Sequence, residues 1–236
     1  MLIILIILII FSLYYLTMGT IIFKEFLKQT EDKKIYIFLL SIIAFGLFYD
    51  SFIISLGGIL NSSIVESKGF KIISLFRYIF HGIVMPSFFL ICVEPLTSIK
   101  SKKYIFTVFV TIAFCILGII QGACSDIVIE KTGIIRRYAL SKNAANWVKI
   151  SSLIVTIVPM LFLLIISIVI AVKKHNPYML IGGIIVFIFS GLGGAIESIK
   201  EYNFFISMFG EVMLTFFLYL FIKKEKKSPK IIKLDE

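Results

Sequence analysis

The stretch MLIILIILIIFSLYYLTMGTIIF, residues 1–23, carries no Asp, Glu, Lys, Arg or His and is as long as a helix must be to cross a bilayer. A hydrocarbon layer about 30 Å thick takes roughly 20 residues at 1.5 Å each, and in that medium a helix satisfies its own backbone groups. No Lys or Arg opens the run and no small-residue cleavage pattern follows it, so residues 1–23 read as a retained helix rather than a signal peptide.

Six more stretches of the same kind follow: Ile35–Leu60, Ile72–Leu96, Tyr104–Cys124, Ile150–Val172, Met179–Ser198 and Phe204–Ile222. The pattern predicts an all-α polytopic membrane bundle of seven transmembrane helices over residues 1–222, with residues 223–236 as a basic cytoplasmic tail. A mean hydropathy of +1.04 and 59% hydrophobic residues in 236 exceed what a soluble core needs.

Orientation follows from the cations. Fifteen lysines lie in the tail and in the loops after the first, third and fifth stretches, against eight Lys and Arg on the other side. That bias places the N-terminus outside and the C-terminus in the cytoplasm of a multi-pass cell-membrane protein. The +10 net charge is scattered over short loops, which fits anionic lipid and not a nucleic-acid interface. Membrane lipids are the expected partners, and the oligomeric state is not encoded in any feature of the chain. Cys92, Cys115 and Cys124 form neither a disulfide framework nor a metal-ligand spacing, so no metal or cofactor is expected.

Internal similarity suggests a parallel 3+1+3 repeat. Residues 52–58 (FIISLGG) resemble 187–194 (FIFSGLGG), and residues 84–90 (VMPSFFL) resemble 212–218 (VMLTFFL). Between the fourth and fifth stretches, two β-prone runs flank Lys131-Thr132-Gly133 and predict a hairpin that lies across the mouth of the bundle or serves as a plain connector. Thr111, Cys115, Gly118 and Gly122 form a stripe suited to close helix packing, as does the face shared by Gly183, Ser190, Gly194 and Glu197. Pro86 and Pro159 are expected to kink their helices. Tyr36, Tyr104, Trp147, Tyr178 and Tyr202 are expected as interfacial anchors, and Glu94 as an exposed helix end.

The informative residues are the ionisable groups inside the stretches: Asp50, Arg77, His81, Glu197 and Glu211. A charge at the bilayer centre costs at least about 2.5–3.5 kcal/mol, so such groups pair, lose their charge or meet water. Arg77 and His81 lie one turn apart, and Asp50 falls at a comparable depth on the preceding stretch, which predicts an Asp50–Arg77 pair with the imidazole alongside. One Arg cannot neutralise three carboxylates. At least one of these is therefore expected to be protonated, occupied by a ligand or hydrated, and Glu211, one turn after Ser207, is the candidate nearest mid-span.

Tyr49-Asp50-Ser51, Leu56-Gly57, Arg77-Tyr78, His81 and Pro86 together resemble a segment of a bacterial and plant seven-helix integral membrane family. The resemblance covers about forty residues and implies one polar unit of Asp50, Arg77 and His81, with no activity attached. Other seven-helix families fit poorly, since the last stretch has no retinal lysine, the loops lack a Pro-Gln pair, and two histidines do not make a ceramidase-like zinc site. No hydrolase elbow or phosphate loop is present.

Three functions follow from these groups. The first is a non-enzymatic bundle whose outward-facing polar pocket binds or passes a small solute, ion or lipid headgroup, with Arg77 holding an anion and His81 exchanging the proton. The second is an intramembrane lipid-modifying enzyme working by acid–base chemistry, and the third a structural or sensory partner whose polar cluster only sets packing.

Overall fold

The computed structural model describes residues 2–28, 35–195 and 202–227 of the chain. Among the described residues, nine α-helices and one hairpin follow in order: α1 Leu2–Leu27, α2 Ile35–Ile59, α3 Ser62–Val65, α4 Lys68–Val84, α5 Phe88–Val93, α6 Lys102–Ala123, β1 Ile127–Thr132, β2 Ile135–Leu140, α7 Asn146–Lys174, α8 Tyr178–Ala195 and α9 Asn203–Lys227. Among the described residues, six segments are long and apolar enough to cross a membrane, with Lys68–Leu96 counted as one, and α8 contributes a shorter apolar helix over Tyr178–Gly191. The chain is thus a helical bundle of multi-pass character. Its helices overrun the expected boundaries: α1 continues through Lys24 to Leu27, α7 starts at Asn146, and α9 extends past Ile222. Glu197 and residues 228–236 lie outside the described residues.

Neighbouring helices pack antiparallel. Ser12 meets Ser51 and Gly58 meets Leu5 along α1 and α2. Ser190 meets Ser207 and Gly182 meets Phe217 along α8 and α9. Between α4 and α6, Gly82 and Gly118 touch backbone to backbone, and a Cβ on Gly82 would lie 2.5 Å from the Gly118 carbonyl. Without water to drive helices together, such direct approach supplies the dispersion contact that holds membrane helices.

The two prolines act differently. Pro86 sits in a 3₁₀ turn, Met85–Ser87, that separates α4 from α5, whereas Pro159 lies inside α7 without ending it. The repeat partner of the 84–90 segment, residues 212–218, is unbroken α-helix in α9, so the two similar segments differ in local structure.

Tyr36 and Tyr104, expected as interfacial anchors, lie near the starts of α2 and α6 and are buried within the bundle at 2% and 5% exposure. Glu94 explains both. Its Oε2 accepts the Tyr36 N–H at 3.0 Å and the Tyr104 hydroxyl at 3.4 Å, so the carboxylate caps the positive end of α2 instead of ending in solvent.

The hairpin forms where the turn residues place it, with Ile127 opposite Leu140, Thr132 opposite Ile135, and Gly133 at φ 61° in the turn. It is not a free loop. Ile127 and Tyr138 join a core with Ile53, Val65 and Phe70, and the Arg136 carbonyl presses on Gly57 of α2, where a Cβ would overlap it.

Candidate functional site

Asp50, Arg77, His81 and Glu211 converge from α2, α4 and α9 on one cavity of about 250 Å³. Helix geometry sets their depth. Arg77 is nine residues into α4 and Glu211 eight into α9, which puts both about 12–14 Å from the end of the bundle that carries the hairpin. His81, one turn beyond Arg77, is deeper and opens onto the cavity.

Arg77 donates from Nε to Asp50 Oδ1 at 2.7 Å and from Nη1 to the Tyr138 carbonyl at 3.2 Å. The Tyr78 hydroxyl donates to the same carbonyl at 3.3 Å. The pair foreseen from spacing therefore exists, and it is also bonded to the hairpin. Arg77 is 9% exposed, and its charge is committed to Asp50 and a backbone dipole. Tyr49, next to Asp50 in α2, also ties α2 to α4 by donating its hydroxyl to the Ile73 carbonyl at 2.7 Å.

His81 Nε2 lies 3.3 Å from the Thr156 hydroxyl of α7, a partner that spacing within α2 and α4 could not reveal. Glu211 stands differently. Among the described residues no cation and no donor reaches its carboxylate, which lines the cavity wall with Ser207 one turn before it. Tyr15 and Tyr14 of α1 fix α9 at this level by donating to the carbonyls of Met208 and Val212 at 3.1 and 3.2 Å.

A second cavity of about 600 Å³ adjoins the first and shares Leu47, His81, Val84, Phe204, Ser207 and Glu211 with it. Its other walls are almost wholly apolar, among them Met85, Phe88, Met160, Val186 and Leu214. Phe204 stands at the junction, and the Arg137 guanidinium of β2 lies 4.5 Å from its ring centroid. Burial beneath the bundle holds that guanidinium below its ordinary pKa, against the pull of Glu130, which it meets at 2.8 Å.

The sequence brings four of its five candidates together here, and the fifth, Glu197, is outside the described residues. It missed Thr156, Ser152 and Tyr138, whose hydroxyl or carbonyl groups are common features of any chain and become informative only in place. Among the described residues no three His, Cys, Asp or Glu side chains are grouped to hold a metal, and all three cysteines are free. No protein-family model matches the chain, and no curated protein is similar to it by sequence.

Proposed function

We propose that this protein binds or passes a small solute, ion or lipid headgroup through the polar cavity, with Glu211 and His81 as the groups that meet it. The carrying observation is an acidic side chain that meets no counter-ion among the described residues and faces a cavity inside the helix bundle. Such a group is costly unless the site supplies what it lacks. Arg77 was expected to hold an anion, but its bonds to Asp50 and Tyr138 favour a different role, a clasp that seats the hairpin over the cavity.

In this reading α8 crosses the membrane as the seventh span alongside α9, the hairpin faces outward, and the basic tail faces the cytoplasm. The antiparallel packing of α8 on α9 and the lysine bias support that arrangement. A parallel 3+1+3 origin rests on the sequence similarity of residues 52–58 and 187–194.

Purified protein in lipid nanodiscs, screened with inorganic ions and small charged or zwitterionic solutes by shifts in unfolding temperature, tests the proposal. At least one class must stabilise the wild type by mass action and lose that effect in Ser207→Trp, which fills the cavity. No shift across the panel, or equal shifts in the Trp variant, refutes it. Lipid hydrolysis abolished by Asp50→Ala would put the enzymatic reading in its place.

A further inference from the structure

Three features of the paired cavities bear on what occupies them. The first is charge. Asp50 and Arg77 neutralise each other and His81 is engaged by Thr156, which leaves Glu211 as the carboxylate without a cation among the described residues. The nearby hydroxyls of Ser190 and Ser207, 3.2 Å apart, add acceptor capacity, and Asn203 on the same wall carries a buried Oδ1 with no donor among the described residues. What the Glu211 carboxyl lacks, among the described residues, is a cation or N–H within reach.

The second feature is the apolar chamber. Glu211 stands where the two cavities meet, so a group bound to its carboxylate has the 600 Å³ chamber directly beside it. A chamber of that size takes an apolar body of drug-like dimensions or a folded alkyl chain.

The third is access. Leu153 and Ile157 of α7 and Phe187 of α8 line the chamber and are 59%, 46% and 47% exposed. The two helices are in contact at Gly183 and Leu164, nearer their tight connection, and the chamber lies toward their other ends. It therefore opens sideways between α7 and α8, on faces that a membrane would cover with lipid.

We infer that the ligand of this site is a cationic amphiphile, a protonated amine that pairs with Glu211 while its apolar body fills the chamber between α7 and α8. The inference rests on the pocket reading above and adds the ligand's class and its route, from within the lipid layer. A free alkylamine and an amine-headed phospholipid share that chemistry.

The test uses the full chain in phosphatidylcholine nanodiscs and measures saturable binding of radiolabelled dodecylamine, with dodecanoate, dodecanol and ethylamine as competitors. Dodecylamine is expected to bind at least about tenfold more tightly than dodecanoate or dodecanol, and about 100-fold more tightly than ethylamine. Glu211→Gln keeps the shape of the acid and should weaken dodecylamine by tenfold or more at unchanged helicity. Gly191→Phe introduces a side chain where a Cβ meets nothing within 4 Å, so it should fold, occupy the chamber and weaken dodecylamine but not ethylamine.

Tighter binding of dodecanoate, equal binding of ethylamine, or full affinity in Glu211→Gln overturns the inference and leaves the pocket reading standing. Absence of saturable binding by every probe, with an unresponsive Ser207→Trp variant, sinks both. Competition by phosphatidylethanolamine that depends on Glu211 supports the inference with a lipid source, and dodecylamine binding without such competition supports it with a free amphiphile.

Discussion

Changing Arg77 to Met and Asp50 to Asn, singly and together, asks whether their contact acts as one unit. Taking one partner from a buried ion pair generally costs about 3–5 kcal/mol, because the other charge is left uncompensated. The Asp50 side chain is 33% exposed on the cavity side, so water moderates the loss and Arg77→Met should cost about 3 kcal/mol. Arg77→Met also removes the Nη1 bond that seats the hairpin and leaves the Tyr138 carbonyl with the bond from Tyr78 alone. Asp50→Asn leaves an acceptor for Nε but strands a guanidinium only 8% exposed, for about 2–3 kcal/mol. The double variant carries neither charge and should cost about 3 kcal/mol, well below the sum, giving a coupling of about 2–3 kcal/mol. Reversible unfolding in mixed micelles measures the cycle, and amide exchange over Ile135–Leu140 reports whether the hairpin has loosened. Additive losses within about 0.5 kcal/mol, or unchanged exchange in Arg77→Met, would refute the clasp.

Gly118→Ala places a methyl group on the Gly82 carbonyl, so α4 and α6 must separate, at about 1–3 kcal/mol of overpacking; a thermal unfolding scan that shows no loss contradicts the backbone contact. Gly57→Ala collides with the Arg136 carbonyl and should speed exchange of the β2 amides while leaving α6 protected, because only the hairpin is displaced. Glu94→Ala removes the acceptor for the Tyr36 N–H and should cost about 1–2 kcal/mol, with Glu94→Gln recovering part of it by keeping one carbonyl oxygen. A reporter fused after Glu236 should be cytoplasmic, and a cysteine at Lys131, exposed near the tip of β1, should react with an impermeant thiol reagent from outside; labelling only from inside reverses the topology.

Much of the architecture is legible in the chain because lipid leaves few choices. An apolar run of twenty-odd residues has to be helix, and the Lys131-Thr132-Gly133 signal finds the hairpin, although the turn itself falls on Gly133 and Ile134 with Lys131 and Thr132 still paired in β1. The small-residue stripe on α6 pointed to Gly118 and Gly122, but its partner Gly82 has no small residue one turn away in α4 and so gave no stripe to see. Glu94 misled for a related reason. A carboxylate at a helix end before a proline looks solvent-bound, and only folding brings the N-terminus of α2 within reach of it.

Assigning roles within the polar cluster was harder than finding it. Counting three carboxylates and one arginine shows that some charge is left over, but not which carboxylate keeps the arginine or whether backbone groups claim the rest of it. The decisive contact is the one from Arg77 to the Tyr138 carbonyl, sixty-one residues away and chemically indistinguishable in sequence from every other carbonyl. That bond changes the sign of the inferred ligand. With a free guanidinium the cavity would receive anions; with it committed to Asp50 and the hairpin, the group left to meet a ligand is the Glu211 carboxyl, with which a cation would pair. The hairpin is then part of the site's electrostatics as well as its cover, so weakening its seat through Gly57 should also alter ligand preference, releasing Arg77 to compete for Glu211. Dodecylamine affinity that falls in Gly57→Ala as hairpin exchange rises would tie the two; affinity unchanged in a variant whose hairpin is shown to be loose would separate them.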